Sequence, residues 1–376
     1  MPRILIVTGE ASGDLHGANL AAAIRGLRPD AQILGVGGSK MKAAGVDLLS
    51  GIERLDAMGL VGLAQLRAAL GTYRFLARFL REQSLDVVVF IDNPGLNLRL
   101  ARVAKRAGQR VVYYIAPQIW AWHASRIKLI SQVVDRMIVI LPFEQELYRR
   151  AGITCDFVGH PLLDAVAPSY DRSELRKRFG LDVTARVIGL LPGSREKEVR
   201  VHLPLMLQAA GRLARMKPEL QFAMAQAASI PKDLIEELST GTGVTVKIVH
   251  DQASEVMAAS DLLLVASGTA TLQAAVIGTP MIIVYRTTWL TSTIARLVIQ
   301  VPWIGLVNIV AGRTVAPELI QQEATPARLA EEATRLLRDQ QADRDIRAAL
   351  QAVREQLGEP GASKRAAAAV LAECAA

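Results

Sequence analysis

The chain has 376 residues, 51% of them hydrophobic and 21% charged, which predicts two folded domains and excludes an intrinsically disordered protein. Its two cysteines share no metal or redox spacing, which excludes a disulfide framework. The net charge of +8 lies mostly in the first 168 residues, which carry 20 Lys+Arg against 14 Asp+Glu, whereas the remaining 208 carry 24 against 22. This bias predicts an anionic partner, either a phosphate-bearing substrate or a membrane surface. No zinc spacing or mixed lysine–aromatic run supports nucleic acid.

The chain opens with a short apolar strand, Arg3 to Val7, which leads through a glycine-containing loop into a helix. No charged leader or long apolar segment precedes the strand, so no export signal is expected. Strand, small-residue loop and helix are the start of a doubly wound α/β domain, but the Gly-x-Gly-x-x-Gly pattern is missing, which disfavours a nicotinamide cofactor. Four polar side chains lie close together in this loop: Glu10, Ser12, Asp14 and His16. They either project into a ligand-binding cleft or serve to cap the helix and face solvent.

Residues 60–81 predict a basic amphipathic helix. Its arginines recur at intervals of seven, four and three, beside leucine and phenylalanine: Arg67, Arg74, Arg78 and Arg81. Such a helix suits an anionic membrane surface. The alternative is an ordinary covering helix with a solvated face, and the glycines in this stretch weaken the helix prediction itself.

Two further loops follow apolar strands in the first half. Residues 86–92 form a buried strand that ends in Asp92, and Asn97 lies five residues on. A carboxylate at the carboxyl end of a parallel strand lies at the face where α/β domains bind ligands. After the next strand come Trp120 and Trp122, which either stack on a sugar or acyl group or pack at the rim. His160 precedes a proline where the first domain ends, and the sequence leaves its role open.

The second half contains the clearest phosphate-binding pattern. Val187 to Leu191 is an uninterrupted apolar strand, Pro192–Gly193 turns the chain, and Ser194 is expected to cap the helix that follows. Such a turn points free backbone N–H groups at one spot that suits a diphosphate, and Arg195 adds a charge. An ordinary strand–turn–helix with a solvated arginine is the alternative. No Walker loop is present, so phosphoryl transfer from ATP is not indicated.

A second turn of the same design follows the strand at 262–266, with Ser267, Gly268 and Thr269 in the turn and Gln273 on the helix. Two such turns in one domain favour a nucleotide diphosphate. The uncharged run 262–285 is long enough to span a bilayer, but its polar residues and glycines favour strand–helix–strand. Residues 289–312 form an apolar, Trp-containing segment that is a candidate for lipid contact. The Ala-rich helix at 364–374 is expected to pack back on the body.

Six motifs, spread nearly end to end, carry a family resemblance. They lie at residues 9–14, 117–122, 158–161, 191–195, 266–270 and 308–313. Together they are highly specific, and with them the chain closely resembles the lipid-A-disaccharide synthases, inverting glycosyltransferases of the glycosyltransferase-B architecture. The resemblance implies an α/β fold of two doubly wound Rossmann-like domains facing across a cleft. We therefore expect an acceptor- and membrane-facing domain at 1–168, a UDP-sugar-binding domain at 169–350 and a helical segment at 351–376.

The resemblance also implies the reaction. The family joins UDP-2,3-diacylglucosamine to 2,3-diacylglucosamine 1-phosphate, makes a β-1,6-linked disaccharide 1-phosphate and releases UDP. It needs no metal or other cofactor and works on the cytoplasmic face of the bacterial inner membrane as a peripheral protein. A homodimer is left open. Two alternatives remain: a UDP-sugar epimerase of the same architecture, and an inactive relative that binds nucleotide or lipid.

The resemblance finally implies site residues. Asp92 is the first choice for the base, with His16 and Glu10 behind it. The expected substrate-binding residues are Ser12, Asp14, Asn97, Trp120, Trp122, His160, Ser194, Arg195, Ser267, Gly268, Thr269, Gln273, Asn308 and Arg313. Two positions depart from the family pattern. Gly95 replaces an aspartate, which removes one carboxylate that could serve as base. Gln273 replaces a glutamate that binds the ribose hydroxyls; it still accepts a hydrogen bond but lacks the charge, so UDP binding is expected to survive in weaker form.

Overall fold

The computed structural model describes residues 1–49, 63–120, 126–287 and 302–374. The chain forms two units, Met1–Leu163 together with Leu357–Ala376, and Asp164–Gln356. The units divide at 163/164 and 356/357, whereas the sequence predicts divisions at 168/169 and 350/351. No helix within the described ranges is long and apolar enough to cross a membrane.

The first unit contains a sheet of seven parallel strands within the described residues. They are β1 (Arg3–Val7), β2 (Gln32–Val36), β3 (Asp47–Leu48), β4 (Val87–Ile91), β5 (Arg110–Tyr114), β6 (Arg136–Val139) and β7 (Thr154–Phe157). Their spatial order is β3-β2-β1-β4-β5-β6-β7, so the strand order reverses between β1 and β4. In doubly wound sheets, ligands bind at the carboxyl ends of the strands at such a reversal.

Helices cover this sheet. They are α1 (Ala11–Leu27), α2 (Ser39–Ala43), α3 (Leu63–Glu82), α4 (Pro94–Arg106), α5 (Ile127–Val133), α6 (Pro142–Arg150) and α7 (Leu162–Ala165), and the unit division falls within α7. The central strands are continuous apolar runs because both faces of a parallel sheet are buried; all five residues of β4 are inaccessible to solvent.

The second unit repeats the design with six parallel strands in the described ranges. They are β8 (Val187–Leu191), β9 (Gln221–Gln226), β10 (Lys247–His250), β11 (Leu262–Ala266), β12 (Met281–Tyr285) and β13 (Glu318–Ile320). The order β10-β9-β8-β11-β12-β13 reverses between β8 and β11. Both candidate phosphate turns therefore flank the reversal, since one follows β8 and the other follows β11.

The helices of the second unit are α8 (Arg172–Arg178), α9 (Glu196–Met216), α10 (Lys232–Ser239), α11 (Ala253–Ala259), α12 (Thr269–Ile277), α13 (Leu306–Ala311), α14 (Pro326–Arg338) and α15 (Gln340–Gln356). Together with the two sheets they form two Rossmann-like domains, as the sequence predicts.

The C-terminal helix α16 (Ala362–Cys374) returns to the first unit and packs on α1 and the central strands. Ala366, Ala367 and Val370 are fully buried in one cluster with Ile4 and Val87. Their small side chains allow the helix to approach the sheet closely. The C-terminal segment thus completes one face of the first core.

A charge on the buried face of α16 should unfold the first unit, whereas a charge one position along should be tolerated. We expect Ala367→Asp to lower the free energy of unfolding by at least about 3 kcal/mol, because it buries an unpaired carboxylate. Ala368 is exposed, so Ala368→Asp should change it by less than about 0.5 kcal/mol. Denaturant titration of both variants measures the difference. Equal stabilities would contradict the packing of α16.

Candidate functional site

The turns after β1 and β4 interlock at the strand reversal of the first unit. A Cβ atom added to Gly9 would lie 1.9 Å from Nδ2 and 2.9 Å from Cγ of Asn93, so any larger residue at position 9 would displace the Asn93 side chain. On the other side, Asp92 and Asn93 both adopt left-handed backbone conformations, with φ of 48° and 43°. Such residues cost about 1–3 kcal/mol each and are retained where the surrounding structure fixes them.

The backbone of Asp92 is fixed by three hydrogen bonds. Its N–H donates to the carbonyl of Tyr114 at 3.2 Å, and its own carbonyl accepts from the Tyr113 hydroxyl at 2.5 Å and from Nδ2 of Asn97 at 2.8 Å. Nδ2 of Asn97 also donates to the carbonyl of Ile91. Asn97 is fully buried, so it orients Asp92 from within the fold, and Tyr113 is a positioning residue that the sequence did not single out.

The carboxyl group of Asp92 is tuned toward a stronger base. Burial raises its pKa above the usual range, and the nearby charge of Glu10 raises it further, while the N–H of Asn93 opposes the shift. The side chain is only partly buried, so it keeps access to a ligand. Glu10 is exposed in the turn after β1, beside the exposed Ser12. A partly shielded carboxylate near a second one suits proton abstraction.

Two imidazoles belong to the same region of the first unit. His16 packs edge-on against Tyr114, with ring centroids 6.5 Å apart, and burial together with Lys40 lowers its pKa. Nδ1 of His160 accepts the Leu162 N–H at 3.1 Å, so Nε2 carries the proton. Burial and the proximity of His16 lower the pKa of His160 to about 4. Both imidazoles are neutral near pH 7.

Asp14 has a structural function in this unit. Its carboxylate accepts the backbone N–H groups of Gly38, Lys40 and Met41 at 2.7, 3.0 and 3.1 Å. These contacts tie α1 to the first turn of α2 and occupy both oxygens. Asp14 therefore supports the start of α1, next to Glu10, and its predicted contact with substrate stays a prediction.

A buried carboxyl group that the sequence did not predict holds the loop of Trp120. Oε1 of Glu144 accepts the indole N–H of Trp120 at 3.0 Å, and Oε2 accepts the N–H of Leu141 at 3.3 Å. Burial raises the pKa of Glu144 to about 8. The Trp120 ring also packs edge-on against Phe143 at 5.2 Å. The indole N–H is thus used internally, which leaves the ring for ligand contact; Trp122 lies outside the described residues.

In the second unit, the turn after β8 forms as predicted but is capped differently. The N-cap of α9 is Arg195 and not Ser194, which lies one residue too early. No side chain therefore caps the N–H groups at the start of this helix. The Arg195 guanidinium is exposed and pairs with Glu198 at 3.0 Å. The carbonyl of Ser194 accepts from the Ser229 hydroxyl at 2.7 Å, which ties the turn to the loop after β9.

The turn after β11 also opens a helix. Gly268 has a φ of 152° and is the N-cap of α12, and the Ser267 hydroxyl donates to the carbonyl of Ile304 at 2.9 Å. Thr269 begins the helix. Nε2 of Gln273 donates to the Ser254 hydroxyl at 2.7 Å, which leaves Oε1 as an acceptor. The structure therefore presents an amide oxygen where the sequence predicts a ribose contact.

Asn308 and Arg313, which the resemblance implies as substrate-binding residues, differ in solvent exposure. Asn308 is fully buried, its Oδ1 accepts from Val315 and Ala316, and its Nδ2 donates to the carbonyl of Ala316 and to Glu318. Every polar atom of its side chain is used, so Asn308 folds this loop and does not reach a ligand directly. Arg313 is exposed. Residues 289–301 of the predicted lipid-contacting segment lie outside the described residues.

Comparison with known proteins identifies relatives over nearly the whole length. The family model described as lipid-A-disaccharide synthetase matches residues 4–372. The lipid-A-disaccharide synthase of Trichlorobacter lovleyi is 43% identical over 370 residues, which cover 98% of this chain and 97% of the relative.

Two solved structures are similar in fold. The UDP-GlcNAc 2-epimerase of Neisseria meningitidis, bound to UDP-GlcNAc, covers 99% of this chain and 100% of its own, with a TM-score of 0.61 and 13% identity. The calicheamicin glycosyltransferase CalG4 covers 100% of this chain and 98% of its own, also at 0.61, with 17% identity. Epimerases and glycosyltransferases thus share this glycosyltransferase-B fold, and the sequence family distinguishes between them.

The buried Glu144 should make the stability of the first unit depend on pH. Its folded pKa of about 8 exceeds the ordinary 4.5, so its stabilising contribution is complete below pH 4.5 and is lost as the pH rises toward 8. We expect Glu144→Gln to gain stability relative to the wild type by up to about 1.4 kcal/mol per pH unit across this window. Denaturant titrations from pH 5 to 8 test this. Glu146→Gln, an exposed neighbour on α6, should show no trend, and a flat profile for Glu144→Gln would contradict its burial as a neutral acid.

Proposed function

Because the chain belongs to the lipid-A-disaccharide synthase family, it is a glycosyltransferase of lipid A biosynthesis, and we propose how its residues carry out the reaction. The proposed donor is UDP-2,3-diacylglucosamine and the proposed acceptor is 2,3-diacylglucosamine 1-phosphate. The acceptor O6 attacks the anomeric carbon of the donor, the bond from that carbon to the diphosphate breaks, and UDP leaves. The observation that carries the proposal is the fixed, partly buried Asp92 at the strand reversal of the first unit.

Asp92 is the proposed general base. Its carboxylate takes the proton of the acceptor 6-hydroxyl as O6 attacks, which prevents a positive charge from developing on that oxygen. Its raised pKa makes it a stronger base than an exposed aspartate. Tyr113 and Asn97 hold its backbone, so the Cα from which the carboxylate extends is already in place when the acceptor binds. With Gly95 in the turn after β4, Asp92 is the only carboxylate of that turn, and the nearby Glu10 lies in the turn after β1.

His16 and Glu10 have secondary roles in this proposal. His16 is neutral near pH 7 and is the reserve candidate for the base, because burial and Lys40 lower its pKa. Glu10 acts through its charge, which raises the pKa of Asp92. Ser12, Trp120 and Arg313 are proposed substrate contacts, and His160 is proposed to present its Nε2 proton to the acceptor. Trp122 remains a prediction.

The second unit is proposed to hold UDP. Free N–H groups after β8 and β11 and the guanidinium of Arg195 stabilise the charge that develops on the departing diphosphate. Oε1 of Gln273 accepts a hydrogen bond from a ribose hydroxyl, without the charge that a glutamate would supply. The reaction is proposed to use no metal and no cofactor, and the described residues contain no group of three or more His, Cys, Asp or Glu that could hold a metal ion.

The helix α3 is proposed to rest on the cytoplasmic face of the inner membrane. Arg74, Arg78 and Arg81 are exposed on it, and Phe75 is 43% and Leu70 45% exposed beside them. Large exposed apolar side chains next to arginines suit a surface of anionic lipids, where the acylated substrates reside. A homodimer stays a prediction.

Replacing the proposed base should abolish turnover without affecting the UDP site. We expect Asp92→Asn to lower kcat by about 10²- to 10⁴-fold while the Kd for UDP stays unchanged. The measurement is acceptor-dependent UDP release by purified protein, with His16→Gln as the comparison. If turnover persists in Asp92→Asn and collapses in His16→Gln, the base is His16. UDP binding without any wild-type turnover would favour an inactive relative, and UDP release that requires the acylated acceptor would exclude an epimerase.

Removing the charge of Glu10 should shift the acid limb of the pH profile. A neighbouring carboxylate raises the pKa of Asp92, so Glu10→Gln should lower that pKa and move the acid limb of kcat/KM to lower pH. The test is kcat/KM measured from pH 4 to 8 for both proteins. A shift to higher pH, or no shift, would count against Asp92 as the group that must be ionised.

Membrane contact through α3 should depend on charge and salt. We expect Arg74→Gln to weaken binding to vesicles that contain anionic lipid by about fivefold, since each cation near such a surface contributes about 1 kcal/mol. Binding should also fall as salt rises. Vesicle sedimentation measures this, with Arg99→Gln, an exposed arginine on α4, as the matched control. Equal binding by both variants would remove α3 from the contact.

A further inference from the structure

A buried histidine in the second unit has no role in the reaction described so far. His202 lies on α9, two turns after the phosphate turn, and only 2% of it is exposed. Its Nε2 accepts the backbone N–H of Arg286 at 3.1 Å, and its ring lies 6.1 Å from that of Tyr285. Burying a polar group without a hydrogen bond costs free energy, and the hydrogen bond to the Arg286 N–H offsets that cost for His202. His202 thereby joins the helix after β8 to the residue that follows β12.

His202 is held as a neutral hydrogen-bond acceptor. Since its Nε2 accepts, the proton of the neutral ring is on Nδ1, which has no hydrogen-bond partner within the described residues. Burial lowers the pKa of His202 against the opposing effects of Pro192, Glu198 and Arg286, so the ring is neutral near pH 7. A neutral side chain on α9, the helix after β8, therefore binds the backbone that follows β12.

Arg286 is placed where a second cation is needed. Among residues within four positions of a strand's carboxyl end in the second sheet, Arg195 and Arg286 are the only cations. Arg195 is already paired with Glu198, and Glu196 in the same turn pairs with Arg200, so both carboxylates engage cations of α9 and its N-cap. A diphosphate carries more charge than this turn offsets. The guanidinium of Arg286 is exposed and forms no ion pair with any residue that the structure describes.

The sheet brings the two arginines to opposite sides of one turn. β8 pairs with β11 and β11 with β12, so the ends of β8 and β12 lie about 10 Å apart at the usual strand spacing. The amide groups that open α12 lie between them. We propose that Arg286 is a second cationic ligand of the diphosphate and that His202 is the positioning residue that holds its backbone. This inference rests on the proposed UDP site.

Binding of UDP and of uridine to the full-length protein separates a phosphate contact from a general effect. Arg286→Gln should weaken UDP binding about 10- to 100-fold, because it removes a hydrogen bond from a charged group to the diphosphate. Uridine has no diphosphate, so its binding should stay unchanged. Arg215→Gln, an exposed arginine at the far end of α9, should change neither. Titration calorimetry measures both ligands. Unchanged UDP affinity in Arg286→Gln, or an equal loss for uridine, would overturn the assignment of Arg286.

The positioning role of His202 needs a readout that general destabilisation would not produce. His202→Leu should lose UDP affinity but not uridine affinity, and His202→Gln, which keeps an acceptor, should restore most of it. The double variant His202→Leu/Arg286→Gln should lose no more UDP affinity than Arg286→Gln alone, within about twofold. Fully additive losses, or equal losses for UDP and uridine, would make His202 merely structural.

A pH series covers the case in which His202→Leu does not fold. Protonated Nε2 cannot accept from Arg286, so acid should weaken UDP binding more in the wild type than in His202→Gln. The groups that face the imidazole are Glu198, Tyr285 and Arg286, and the titration of UDP itself is common to both proteins. Parallel profiles would overturn the role of His202. If the wild type binds no UDP, the proposed function is wrong. If the wild type binds UDP and Arg286→Gln binds it equally well, only the inference about Arg286 is wrong.

Discussion

The pairing of β4 with β1 is the constraint on which the first site depends. It places Asp92 at the strand reversal, and glycine at position 9 leaves room there for the Asn93 side chain. The left-handed backbone of Asp92 is held by hydrogen bonds from Tyr113 and Asn97 to its carbonyl. Strand pairing and two hydrogen bonds thus fix the backbone position of the proposed base.

Left-handed backbone at non-glycine residues occurs just after the carboxyl ends of strands. In the described parts of the chain, these residues are Asp92, Asn93, Ile115, Asp251 and Gln321. Each lies within two residues of the end of β4, β5, β10 or β13. Strain of this kind persists only where packing over-determines the conformation. In the first unit the strain coincides with the candidate site after β4, whereas in the second unit it lies after the two edge strands, away from the reversal between β8 and β11.

Local patterns in the sequence predict the strands and turns well, because they depend on neighbouring residues. The apolar run before Pro192 and the small residues after β11 predict a strand followed by a helix opening, and the structure has both. What the sequence could not predict is which distant groups a polar side chain meets. Asp14 binds residues 24 to 27 positions away, and Glu144 binds Trp120 across 24 positions. Neither periodicity nor spacing carries that information, so their supporting roles emerge only from tertiary packing.

The return of α16 to the first unit has a consequence for how the protein is made. The face of the first sheet that contains Ile4 and Val87 is covered by residues near the very end of the chain. During synthesis, nearly 200 residues of the second unit separate these two parts, since that unit spans Asp164–Gln356. The residues of α16 are therefore synthesised only after the whole second unit, and until then the part of the first core that α16 covers stays exposed. The second unit, whose sequence is continuous, can complete its fold before the first, although it is translated later.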